Sequence, residues 1–346
     1  MYVLLLLLQL ANGSSFDQLW KQGRSELEHA RYAAAIQTLL AAAREGERSN
    51  VTVALRGSVI NDLAMAHRHL GAYAKAESLY NESISLLRTD PQSRRQLAMA
   101  LTNKATMYRD IGRYEQSTRA FEESFAVAKT LAKDDPALVV ILMGMAAERS
   151  MNGDLKKSEH YLKEALRIRE AEVGPDHLDV SEVLNNLGVV QLQRKEYAEA
   201  ESSLKRALVI METHGGTEHP DVAVVLNNLG KLYYQRKQYD IAESVLTRAL
   251  SIRRKTLPAE NLSTADNLLS LSQVLISSNR YAEAQTLLEE AVGIRNRGRG
   301  GANPEGLLTL EAYALTLRAN GYTNEANAVQ ARAKSMRAEL KFVLRY

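Results

Sequence analysis

The chain has 346 residues, and its 44 Lys and Arg against 41 Asp and Glu leave a formal charge of +3. A balance this even does not single out nucleic acid or an anionic membrane surface as the partner. Cysteine is absent, which excludes disulfides, thiol chemistry and cysteine-ligated metal without choosing a compartment.

The N-terminal stretch from Val3 to Ala11 is nearly all leucine and runs into Ala11-Asn12-Gly13. An apolar run of this length before a small-x-small site has the form of a secretory signal peptide. It is too short for the roughly 20 apolar residues of a membrane helix, although no Lys or Arg opens it. The expectation is cleavage after Gly13 and an exported protein, periplasmic or secreted. The alternative is an extra apolar helix on a cytoplasmic chain.

From Phe16 onward one period governs the sequence. Leu184-Asn185-Asn186-Leu187-Gly188 returns as Leu226-Asn227-Asn228-Leu229-Gly230. Steps of 41 or 42 residues connect the leading positions Leu19, Ile60, Leu101, Leu142, Leu184, Leu226, Leu268 and Leu310. Thirteen residues after each comes Tyr32, Tyr73, Tyr114, Leu155, Tyr197, Tyr239, Tyr281 or Thr323. Four residues after each lead the side chain is small: Gly23, Ala64, Ala105, Ala146, Gly188, Gly230, Ser272, Ala314. A fixed period of this length signals stacked repeats. Their approximate limits are 16–56, 57–97, 98–138, 139–180, 181–222, 223–264, 265–306 and 307–346, and 14–346 reads as one body.

Each unit predicts two helices. Val183, Leu184, Leu187, Gly188 and Leu192 form one helical stripe, and Tyr197, Ala200, Leu204, Ala207 and Leu208 form the next. Gly71, Gly112, Gly153, Asn279 and Gly321 hold the turn between halves, suited to the left-handed conformation that ends a helix. Lys195 and Lys237 occupy that slot in two repeats, so those turns are expected to close differently. Pro91, Pro136, Pro175, Pro220, Pro258 and Pro304 all fall in junctions between repeats, as proline's exclusion from helix interiors requires. The small positions imply close helix contact, where enlargement typically costs about 1–3 kcal/mol.

The terminal repeats are eroded. Gln22, Glu26 and Glu45 stand in the first, and Thr323 and Gln330 in the eighth, where other repeats are apolar. Both ends therefore read as caps that turn a polar face to water. Phe342-Val343-Leu344 is expected to extend the last helix against repeat eight.

No catalytic constellation emerges: there is no phosphate-binding glycine loop, Gly-x-Ser-x-Gly elbow or His-Glu-x-x-His. No enzyme activity, cofactor or metal is expected. His177 and His219 sit in equivalent junctions and read as turn residues. The run Arg295-Asn296-Arg297-Gly298-Arg299-Gly300-Gly301 is basic, but it is short and alone. It reads as a linker whose arginines suit a helix C-terminus rather than as a nucleic-acid site.

At these residues the sequence resembles the tetratricopeptide family, whose usual unit is about 34 residues. The longer unit, Leu-Asn-Asn-Leu-Gly and His219-Pro220-Asp221-Val222 are similar to the kinesin-light-chain variety. The likeness covers roughly 16–346 and implies an all-α, right-handed solenoid of about eight antiparallel helix pairs, with a concave face that binds peptides or proteins. In that family the residues just after the leading position line the groove. Here the groove residues would be Asn61, Arg68, Asn103, Arg109, Asn185, Asn186, Gln193, Asn227, Asn228, Lys231 and Gln235. An amide both donates and accepts, so the asparagines either grip an extended peptide or bond one another between repeats. The expected role is an interaction scaffold holding a protein or peptide of some acidic character, without membrane insertion. A peptide-sensing regulator and an envelope subunit are the alternatives.

Overall fold

The structure, a computed structural model, describes residues 15–297 and 303–343, with side chains described through 340. Among the described residues there are sixteen α-helices and no strand. The expectations for residues 1–13, for Arg299-Gly300-Gly301 and for Phe342-Val343-Leu344 concern side chains outside that description. The helices pair as the period predicts. Repeats one to four are α1 (Ser15–Glu28) with α2 (Tyr32–Arg48), α3 (Val53–His69) with α4 (Tyr73–Leu87), α5 (Arg94–Asp110) with α6 (Tyr114–Ala128), and α7 (Ala137–Met151) with α8 (Leu155–Val173). Repeats five to eight are α9 (Leu178–Gln193) with α10 (Tyr197–Gly215), α11 (Pro220–Gln235) with α12 (Tyr239–Thr256), α13 (Leu262–Ser277) with α14 (Tyr281–Arg297), and α15 (Pro304–Ala319) with α16 (Thr323–Val343).

The helices group into two compact units, Met1–Glu172 and Val173–Tyr346, each a stack of four helix pairs. In the first unit, α2 also packs on α3, α4 on α5, and α6 on α7, while the first helices α1, α3, α5 and α7 touch in sequence. The second unit repeats the scheme with α9, α11, α13 and α15 as its touching first helices. This is the α-solenoid plan that the repeat predicted.

Small residues make these contacts possible. A Cβ added to Gly188 would lie 2.6 Å from Leu204 Cγ, and one added to Gly23 would lie 2.7 Å from Leu39 Cγ. Leu39, Tyr80, Phe121, Leu162, Leu204, Leu246 and Leu288 all stand seven residues after the tyrosine-type position, and all are buried. In repeats one, five and six the second helix thus drives a leucine against the glycine of its partner, Leu39 on Gly23, Leu204 on Gly188 and Leu246 on Gly230. At other small sites a hydroxyl adds a bond: Ser83 Oγ donates to the Gly57 carbonyl and Ser158 Oγ to the Ala146 carbonyl, both at 2.7 Å.

Two expectations need correction. The turns at Lys195 and Lys237 close as the glycine turns do, with φ of 63° and 59°. The amide after each bonds five residues back, Glu196 to the Gln191 carbonyl and Gln238 to the Tyr233 carbonyl at 2.9 Å, as Ala72 bonds to His67. The helix-ending bond pattern outweighs the cost of a left-handed lysine. Glu26, expected on a wet cap, is buried instead. One of its oxygens accepts from Gln22 Nε2 at 3.0 Å, and the other is shielded with no partner.

Proline meets its expected places. Pro220 and Pro304 open α11 and α15, Pro91 opens a 3-10 turn, and Pro136 precedes α7.

Candidate functional site

The first helices of each unit lie side by side, so residues just after the leading position meet across neighbouring repeats. In the first unit Trp20 Nε1 donates to Asp62 Oδ2 at 2.8 Å, and Asn103 Nδ2 donates to Asn61 Oδ1 at 3.0 Å. In the second unit Asn228 Nδ2 donates to Asn185 Oδ1 at 2.9 Å. All three bonds join the residue one after a lead to the residue two after the next lead. The structure therefore engages Asn61, Asn103, Asn185 and Asn228 with one another as rungs between helices. Asn227 joins in a different register, accepting from Asn267 Nδ2 at 3.3 Å.

A second row lies two turns farther along. Nε and Nη2 of Arg68 both reach Asp110 Oδ2, at 2.7 and 2.6 Å. In the second unit Ser277 Oγ donates to Tyr234 Oη at 3.3 Å from the equivalent pair of positions. Arg109 has Arg68's place one repeat on, and its guanidinium lies 5.7 Å from the centroid of the Phe121 ring. Gln193, Lys231 and Gln235 are exposed, and Asn186 is half-buried. Of the eleven predicted residues, the wet ones are thus confined to the second unit.

Electrostatics follow burial. Desolvation raises the Asp62 carboxyl above its ordinary value, against the pull of Trp20, Arg24 and Asn61. On the side facing the second helices, Tyr108 Oη donates to Glu77 at 2.8 Å, and Tyr233 Oη donates to Glu201 at 3.0 Å. Burial, with Glu77 next, pushes the Tyr108 hydroxyl up to about 12. These pairs brace repeats and present no reactive group.

The junction residues also find roles. His177 Nδ1 accepts the Asp179 amide at 3.2 Å, and His219 Nδ1 accepts the Asp221 amide at 3.3 Å. Both imidazoles cap helix N-termini, the place that Asn261 and Asn303 fill for α13 and α15. Within the arginine-rich run, Arg295 pairs with Asp266 and donates to Thr309 at 3.1 Å, while Arg297 lies 3.5 Å from Glu260. Those two arginines are engaged in bracing helices.

Reasoning from the sequence missed Asn267 and the Trp20–Asp62 bond. Asn267 precedes its lead, one position off the motif. The Trp20–Asp62 bond was open to discovery, since it obeys the same offset as the asparagine rungs.

Models described as tetratricopeptide repeat match residues 20–94, 96–171, 138–213, 179–255 and 264–305, most of the chain. A search of curated proteins returns no match. Among solved structures, the chain is similar to BtubC (BKLC) from P. vanneervenii, with 25% identity, a TM-score of 0.54, and coverage of 66% of this chain and 93% of that one. A putative kinesin light chain with TPR-like repeats from Podosopora anserina gives 21% identity and a TM-score of 0.50 over 60% of this chain and 97% of its own. The Pyrococcus horikoshii signal transduction ATPase PH0952, which has a tetratricopeptide repeat sensor, gives 15% identity and a TM-score of 0.63 over 95% of this chain and 48% of its own. Paired helices, small crossing residues and the family match agree, and the chain belongs to the tetratricopeptide-repeat family, with a 41–42-residue unit like that of kinesin-light-chain-type repeats.

Proposed function

We propose that this chain is a non-enzymatic interaction scaffold that holds an extended peptide or protein segment along the first helices of its repeats. The observation that carries this reading is the division of labour on those helices. Amide rungs, half-buried at Asn185–Asn228 and buried at Asn227–Asn267, join neighbours, and Gln193, Lys231 and Gln235 are exposed on α9 and α11. Long amide and ammonium side chains on a rigid helical wall can follow the backbone carbonyls of any extended chain. Among the described residues no helix is long and apolar enough to cross a membrane. The leucine run at Val3 to Ala11 supports export of the scaffold.

The test is affinity capture from the native source with wild type and with a Lys231→Ala/Gln235→Ala double variant, followed by mass spectrometry. Both substitutions lie on exposed positions, so folding is preserved while captured protein falls at least several-fold. Unchanged capture by the double variant would overturn this assignment of the face. The same mass spectra report the N-terminus of the native chain, and the presence of Met1 there would rule out the cleaved leader.

A further inference from the structure

In the first unit a methionine sulfur sits among amide donors. The rung between α3 and α5 joins Asn103 Nδ2 to Asn61 Oδ1 at 3.0 Å. Met65 lies one turn after Asn61 on α3, on the same face of the helix. Its Sδ accepts from Asn103 Nδ2 at 3.4 Å and from Asn61 Nδ2 at 3.9 Å. A side-chain amide nitrogen carries two N–H groups. Asn103 gives one of its pair to Asn61, and Asn61 gives one to Asp62 Oδ1 at 3.2 Å. The remaining N–H of each asparagine is thus directed at the thioether.

A thioether is a weak acceptor, so these two donors are poorly satisfied. The rung itself does not demand the sulfur: at the matching Asn185–Asn228 rung the place of Met65 is held by Val189. Met65 is half-buried against the apolar core of the first unit, whereas Met107 and Met145 in that core are sealed from solvent. A small oxidant can reach the Met65 sulfur and not theirs.

We propose that Met65 is a site of oxidation by hydroperoxides, its sulfoxide oxygen received by the Nδ2 groups of Asn61 and Asn103. The sulfur attacks the peroxide and takes one oxygen, so an S–O bond forms and the O–O bond breaks. The sulfur loses two electrons, and the second oxygen leaves as water or an alcohol with the proton of the first. A sulfoxide is polar, and in an apolar core it disrupts packing. At Met65 the new oxygen instead meets donors from both α3 and α5. Oxidation here tightens the joint between repeats two and three, which elsewhere in the core it would loosen.

The test treats wild type and Met65→Leu with hydrogen peroxide until Met151, 53% exposed, is fully converted. Mass spectrometry locates added oxygen in the tryptic fragment 57–68, which holds Met65, and melting temperatures are read before and after treatment. Comparing the two proteins separates Met65 from the other methionines. Fragment 57–68 of wild type is expected to gain one oxygen. The shift in melting temperature on oxidation is expected to be about 2 °C more favourable in wild type than in Met65→Leu, the scale of one hydrogen bond. Asn103→Leu removes the nearer donor, and in that background the advantage of oxidised Met65 disappears or reverses. Simple damage by peroxide cannot produce that dependence on Asn103. A fragment 57–68 without added oxygen overturns the proposal. So does a wild-type shift no better than that of Met65→Leu, or an advantage that survives Asn103→Leu in full.

Discussion

Gly230→Ala is the sharpest test of how the helices of a pair meet. A Cβ at this site would lie 2.4 Å from Cγ, 2.5 Å from Cδ2 and 3.1 Å from Cδ1 of Leu246. Carbons rest comfortably at about 3.5–4.0 Å, so Leu246 would have to retreat by roughly 1 Å. Retreat is difficult, because Leu246 is wholly buried and its branch carbon, not its tip, makes the closest approach. Overpacking of this kind costs about 1–3 kcal/mol. Alanine's better helix propensity returns about 1 kcal/mol. The expected result is a net loss of up to about 2 kcal/mol, or a few degrees in melting temperature at about 2–4 °C per kcal/mol. Urea and thermal unfolding followed by circular dichroism read this directly. In a Leu246→Ala background the clashing γ and δ carbons are gone, so the same substitution becomes neutral or stabilising. A higher midpoint for Gly230→Ala in the wild-type background, as helix propensity alone demands, would refute the packing argument.

His219→Ala removes the acceptor of the Asp221 amide and lowers stability by about 1 kcal/mol, whereas His219→Asn keeps it, as Asn261 does for Ser263 at 2.9 Å. Equal urea midpoints for the two variants would show that the ring does not cap. For Asp62 the folded carboxyl titrates above its ordinary 3.8 because burial penalises the charge. The ionised form therefore costs stability near neutrality, and lowering pH through the folded pKa towards 3.8 recovers it. Asp62→Asn still accepts from Trp20, so it is at least as stable as wild type at neutral pH and lacks this part of the acid-side gain. Identical pH dependence of the two midpoints over that window would remove Asp62 as a source of the gain.

The architecture was legible because its cause is periodic. A small residue four positions after each lead and a large one seven after each tyrosine-type position must recur wherever two helices cross, and Gly188 with Leu204 shows the contact directly. The side-chain face was harder to read. Proximity to the lead marked Asn61 and Asn185 as facing the neighbouring repeat, but spacing alone could not say whether an amide meets a ligand or another amide. That depends on the separation of adjacent first helices, which brings Asn228 within 2.9 Å of Asn185. The lysine turns misled for a related reason. Local preference argued against a left-handed lysine at Lys195 and Lys237, and the tertiary demand for the same turn in every repeat prevailed.

Between α5 and α7 the same two offsets pair Thr102 with Gly144 and Arg109 with Met151, so neither rung forms there, and this is tolerated because the rungs are not what holds neighbours together. A hydrogen bond contributes only about 0.5–1.5 kcal/mol net, so two missing rungs cost about 1–3 kcal/mol. At that same step Leu101, Phe121, Ile141, Leu142 and Met145 are all buried, each contributing about 1.5–3 kcal/mol. The apolar stack outweighs the loss several-fold. A repeat protein can therefore change the polar residues of its first helices one step at a time while the pairs stay in register.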